Sequence, residues 1–256
     1  MFNVLEMSLI CKRYFVCLLL LSLVGVVGIY LYKDQERKNT EVFDASVFNK
    51  ISYTKDEFDF FCDVAFNRDG QRIRKWISDI RVEIKEPYKL NKESISEVDS
   101  IIAILAPLIA PLKIERVWTN GNVHVYRNVR RVMLSDHHPV VPIALKGLTK
   151  RNKETDLFWN IYFARVYVRE GAHSQTLLHE FLHVLGLEHP LRIYPYYVTI
   201  GRSIIPDVLY GEKELAKSAI PFYMSEQEKV SIKMLYSPEI KPGLKKETFL
   251  EKIKIQ

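Results

Sequence analysis

Apolar and polar positions divide this chain into two unlike parts. Tyr14 to Tyr32, YFVCLLLLSLVGVVGIYLY, runs for 19 residues without a charge. At about 1.5 Å per residue, a helix there would be roughly 28 Å long, close to the hydrocarbon thickness of a bilayer. The pattern predicts a transmembrane signal-anchor over 14–32, with a short tail (1–13) before it and a polar linker (33–50) after it. Cleavage as a signal peptide at the weak small-residue site Val26-Val27-Gly28, giving a secreted form, is the alternative.

From there on the periodicity is that of a folded domain, 51–256. Asp56–Phe66 has helical spacing, and Asn67-Arg68-Asp69-Gly70 reads as a turn. Trp76–Ile84 alternates like a strand. Ser94 with Glu97 predicts a capping box for an apolar helix, Ile95–Leu105, which Pro107 and Pro111 end or kink. Ile114–Trp118 and Val123–Tyr126 predict a hairpin around Asn120-Gly121. Residues 127–155 read as a basic loop, and Trp159–Val168 as a further strand. Ser174 is placed to cap a helix over 174–186. Ser225 with Glu228 predicts a second capping box heading EQEKVSIKMLY, stopped by Pro238 and Pro242-Gly243. This order predicts an α/β (α+β) domain with a small helical C-terminal subdomain, 190–256.

Composition narrows the class. With 256 residues, 48% hydrophobic and 27% charged, the chain suits one good-sized domain with a substantial core. The net charge of +6, from 37 basic and 31 acidic residues, is dispersed in short runs, so no nucleic-acid partner is expected. Cys11 and Cys17 lie in or beside the apolar N-terminus. Cys62 is left without a partner for an internal disulfide, and no Cys-rich zinc pattern occurs.

Candidate chemistry is concentrated in HEFLHVLGLEHP, His179–Pro190. Four residues of helix rotate about 400°, so His179 and His183 leave the same face about one turn apart. That spacing lets two ring nitrogens reach one ion at about 2.0–2.1 Å. Glu180, offset by about 100°, points beside the ion, where a base would act on water. Gly186 would end the helix by accepting a left-handed conformation, and His189 would return as the third ligand. Three protein ligands leave the fourth position of a single zinc ion open, as catalytic zinc requires. The competing account is an amphipathic helix with surface histidines. The sequence of strand, cap, helix and glycine stop favours the metal.

His179-Glu180-x-x-His183-x-x-Gly186-x-x-His189 resembles the long zinc signature of the metzincin metallopeptidases. The run VLYGEKELAKSAIPFYMSEQEKVSIKMLYSPEI resembles the matrixin-like order of a turn, a capped helix and a closing Leu-Tyr. LYSPEIKPGL is also similar to a bacterial family of uncharacterised envelope proteins. The resemblance covers roughly 56–243. It implies a mixed twisted sheet with an edge strand just before an active-site helix. It implies a membrane-anchored, extracytoplasmic zinc peptidase acting on a peptide or protein substrate. His179, His183 and His189 would hold the zinc, and Glu180 would be the general base.

One position departs from the signature. The methionine expected in a turn beneath the metal is missing, and Leu209 in Pro206–Gly211 takes its place. Met224 comes directly before the Ser225 cap and reads as a helix staple. Tyr210 either approaches the metal or packs. His124, His137, His138 and His173 read as structural or solvent-facing. The competing function is a non-catalytic envelope binding or structural module, against which the intact Glu180 counts.

Overall fold

The computed structural model describes residues 4–41, 43–46, 48, 53–66, 71–129, 147–150, 159–170, 172, 174–194, 199–200 and 222–253. Leu209 and Tyr210 lie outside the described residues, as do His137, His138 and His173.

Helix α1 spans Val4–Glu41. Its segment Tyr14–Gln35 has a mean hydropathy of 2.5 and none of it is buried, so it is long and apolar enough to be a membrane anchor or a signal sequence. The helix runs past both ends of the uncharged stretch. Residues 33–41, expected as linker, are helical, with Lys38 bridging Asp34 one turn back at 2.7 Å. Phe43 and Phe48 then bury against Phe249, with ring centroids 5.5 and 6.1 Å away.

Helix α2, Lys55–Ala65, begins at a capping box between Thr54 and Glu57. It buries Phe58, Phe60, Phe61 and Val64. The strand expected over 76–84 is two strands, β1 (Lys75–Trp76) and β2 (Ile80–Ile84), in different sheets. The chain breaks at Asp79, whose carboxylate accepts from Lys113 N at 2.9 Å and whose carbonyl accepts from Asn122 Nδ2 at 2.9 Å.

Helix α3, Lys92–Leu105, starts three residues earlier than the apolar run. Asn91, not Ser94, is its cap, accepting from Ser94 N at 2.8 Å. The expected Ser94–Glu97 box is therefore displaced, and Glu97 is free to act elsewhere.

Strands β3 (Ile114–Val117) and β4 (Val123–Val129) do not form the expected hairpin. Both pair in parallel with β2, one on each side. The connection crosses β2 at Gly121, where an added Cβ would lie 2.5 Å from Glu83 Cβ and 2.9 Å from Arg81 O. Glycine is thus required here for a close crossing rather than for a tight turn. Strand β5 (Gly147–Lys150) rises from the stretch read as loop. The run at 159–168 divides into β6 (Asn160–Ile161) and β7 (Ala164–Arg169).

The main sheet has the order β3-β2-β4-β7-β5, parallel except for β5, which is antiparallel to β7. The strand directly before the histidine helix, β7, is therefore internal, and β3 and β5 are the edges among the described strands. β1 and β6 form a separate parallel pair. Ala164, Val166 and Val168 face inward along β7, while Arg165, Tyr167 and Arg169 are half-buried on the other face. Helix α4 (Ser174–Val184) packs on β5 and β7, and α3 on β3. Helix α5 (Glu226–Tyr236) has the expected Ser225–Glu228 capping box and packs on α2. A short α6 (Lys246–Lys252) contributes Phe249 to the same continuous core. The architecture is thus a mixed α/β layer with one N-terminal apolar helix.

Candidate metal centre

Helix α4 is fixed at both ends. Ser174, expected as its cap, is instead its first helical residue. Its hydroxyl donates to the Glu97 carboxylate, which also pairs with Arg127 at 2.7 Å. Glu97 and Arg127 are both buried, so a paired charge ties α3, β4 and α4 together. In the same turn, Gln175 Nε2 donates to Tyr223 O at 2.6 Å, and Tyr223 N donates to Gln175 Oε1 at 3.0 Å. The buried Met224 follows directly, next to the Ser225 cap.

At the other end Gly186 has φ +111°. Its N–H donates to His183 O at 3.1 Å, and Leu187 N–H donates to Leu182 O at 3.1 Å. This 5→2 and 6→1 pair is the Schellman arrangement that glycine permits. A Cβ at Gly186 would lie 2.1 Å from Arg74 O, so space as well as backbone conformation demands glycine. The remaining carbonyls find donors too. Trp76 Nε1 donates to Val184 O at 2.8 Å, and Tyr236 Oη to Leu185 O at 2.9 Å.

The three histidines meet. His179 Nε2 lies 3.2 Å from His183 Nε2 and 3.1 Å from His189 Nε2, and His183 and His189 are 3.2 Å apart. Tetrahedral nitrogens at about 2.0–2.1 Å from one ion sit roughly 3.3–3.4 Å from each other, so the triangle is close to that size. His183 is buried, His179 half-buried and His189 exposed.

Their other nitrogens decide the protonation state. His179 Nδ1 faces Thr199 O at 2.6 Å, and His183 Nδ1 faces Leu187 O at 2.9 Å. A carbonyl only accepts, so each Nδ1 carries the proton and donates. Burial brings the His179 pKa down to about 4, with the Thr199 carbonyl opposing and His189 adding to the effect. The ring is neutral at pH 7, and its Nε2 presents a lone pair. His183, donating through Nδ1, turns its Nε2 toward the same point. Ring nitrogens this close need a proton or a metal ion between them. Ring nitrogens held by backbone carbonyls while the others converge are the pattern of metal ligation. The residues present fit a zinc ion.

Glu180 is buried, and its Oε2 accepts from Thr149 Oγ1 at 2.6 Å. The carboxylate of the motif is thereby fixed by the edge strand. His124 stands apart in β4, with Nε2 3.1 Å from Gly121 O and its ring 4.8 Å from Phe163, in line with a structural role. Sequence reasoning missed Thr149, Gln175 and Thr199. Gln175 and Thr149 carried no motif, and Thr199 acts through its carbonyl, which has no side-chain signature. No protein-family model and no curated protein matches the chain.

Proposed function

We propose that this chain is a metzincin-type zinc peptidase, with His179, His183 and His189 as the ligands of one ion and Glu180 as general base. The observation that carries the reading is the triangle of Nε2 atoms, 3.1–3.2 Å on a side, in which two rings are locked by carbonyls at Nδ1. Bound there, zinc would supply a Lewis acid with one open position. The Glu180 carboxylate, steadied by Thr149, takes a proton from the attacking water. It then passes that proton to the leaving amine nitrogen as the peptide bond breaks. The apolar α1 supports a single-pass anchor; the proposed domain faces the extracytoplasmic side and takes a peptide or protein as substrate.

A peptide-library cleavage assay on the full chain in detergent, with metal content measured in parallel, tests the reading. Glu180→Gln keeps shape but loses the base. It should retain the metal and lose about 10²–10⁴-fold in turnover. Undiminished cleavage by Glu180→Gln would refute the mechanism. A metal-loaded wild type that cuts no library peptide would favour the binding-module reading.

A further inference from the structure

The third ligand raises a separate question. His189 is exposed and stands outside any helix or strand, so no backbone ladder aims its ring. The segment that carries it is nonetheless strapped to α2 at several points. Glu188 N–H donates to Val64 O at 2.8 Å. Arg192 N–H donates to Asp63 Oδ2 at 3.1 Å, and Tyr194 Oη donates to the same oxygen at 3.1 Å. Phe60, one turn before Asp63, meets the Tyr194 ring edge-on at 4.9 Å. Arg192 also reaches Asp59 at 3.5 Å, but that contact is exposed and contributes little. Asp63 is the buried member: its side chain collects both a backbone and a side-chain donor from the stretch just past His189.

Resting on the metal reading above, we infer that Asp63 is a positioning residue for the metal centre: through Arg192 N and Tyr194 Oη it holds the 188–194 segment so that His189 Nε2 meets the other two. Its carboxylate suits this task better than a neutral group, because hydrogen bonds to a charged acceptor are the stronger ones. Helix α2, which supplies no ligand, thereby sets the affinity of the site.

The test is a double-mutant cycle on the full chain in detergent, reading Co2+ affinity by chelator competition and the visible absorption of bound Co2+. Asp63→Ala should weaken Co2+ binding by about 10–100-fold, the range for partners that orient a ligand. It should also shift the absorption toward that of His189→Ala. In the His189→Ala background, Asp63→Ala should cost nothing further, because the ligand it positions is gone. Tyr194→Phe, which removes one hydroxyl, should weaken binding by about 2–10-fold, and it decides the matter if Asp63→Ala does not fold. Unchanged Co2+ affinity in Asp63→Ala, or an equal loss with and without His189, would overturn the inference while leaving the metal reading intact. A wild type that binds no Co2+ would overturn both.

Discussion

His179 and His183 stand four residues apart on α4, whereas His189 stands on a segment with no regular structure. The first two are aligned by the helix itself, and each is finished by one carbonyl on its Nδ1, Thr199 O and Leu187 O. The third depends on contacts distant in the chain. Gly186 turns the backbone against Arg74 O, and Asp63 and Val64 on α2 secure the segment beyond. Local geometry therefore aligns two of the proposed ligands, and tertiary structure positions the third. Perturbing the tertiary contacts should weaken the metal site without unwinding the helix.

The largest break in that division is Gly186→Ala. It asks alanine to adopt φ near +111° and to share space with Arg74 O. The cost should exceed the roughly 0.5–3 kcal/mol of ordinary substitutions. Bound metal should fall from about one ion per chain to near zero, because the path to His189 is displaced while the helical pair alone binds weakly. Metal analysis with thermal unfolding checks this.

Lys75 supports the same region without touching the three histidines. Its buried Nζ donates to Leu235 O at 2.8 Å, Ser237 O at 3.2 Å and Ile240 O at 2.8 Å, closing the C-terminal end of α5. Its neighbour Trp76 closes the end of α4, so the two-residue β1 finishes two helices. Lys75→Met should cost a few kcal/mol, at about 1–3 kcal/mol for each buried carbonyl left without a donor. Metal affinity should barely change. Burial, reinforced by Lys241, brings the Lys75 pKa down to about 7 from 10.5. Between those values the unfolded chain binds more protons than the folded one, so stability rises as pH rises from about 7 toward 10.5. Urea midpoints at pH 7 and 9.5 should show that gain in the wild type and lack it in Lys75→Met.

What was legible in the sequence follows the same division. The helical spacing of His179 and His183, the glycine stop and the Ser225–Glu228 box are local patterns, and each sits where the pattern put it. Features that need partners far along the chain were not legible. Asn120-Gly121 reads locally as a hairpin turn, yet the glycine is there because β2 passes directly beneath it. Ser94 and Glu97 read locally as a cap, yet Asn91 takes the cap and Glu97 is drawn to Arg127 and Ser174. The edge strand β5 lay in a basic, proline-bearing stretch with no alternating signal, and its Thr149 fixes Glu180. The strap from Asp63 to Arg192 spans 129 residues and leaves no local trace.

X-ray absorption at the zinc edge on the full chain, purified in detergent and loaded with zinc, measures the central claim directly. One zinc per chain is expected, with three imidazole nitrogens at about 2.0–2.1 Å and no sulfur. A sulfur shell near about 2.3 Å, fewer than three imidazoles, or a spectrum unchanged when His183 is replaced by alanine would contradict it.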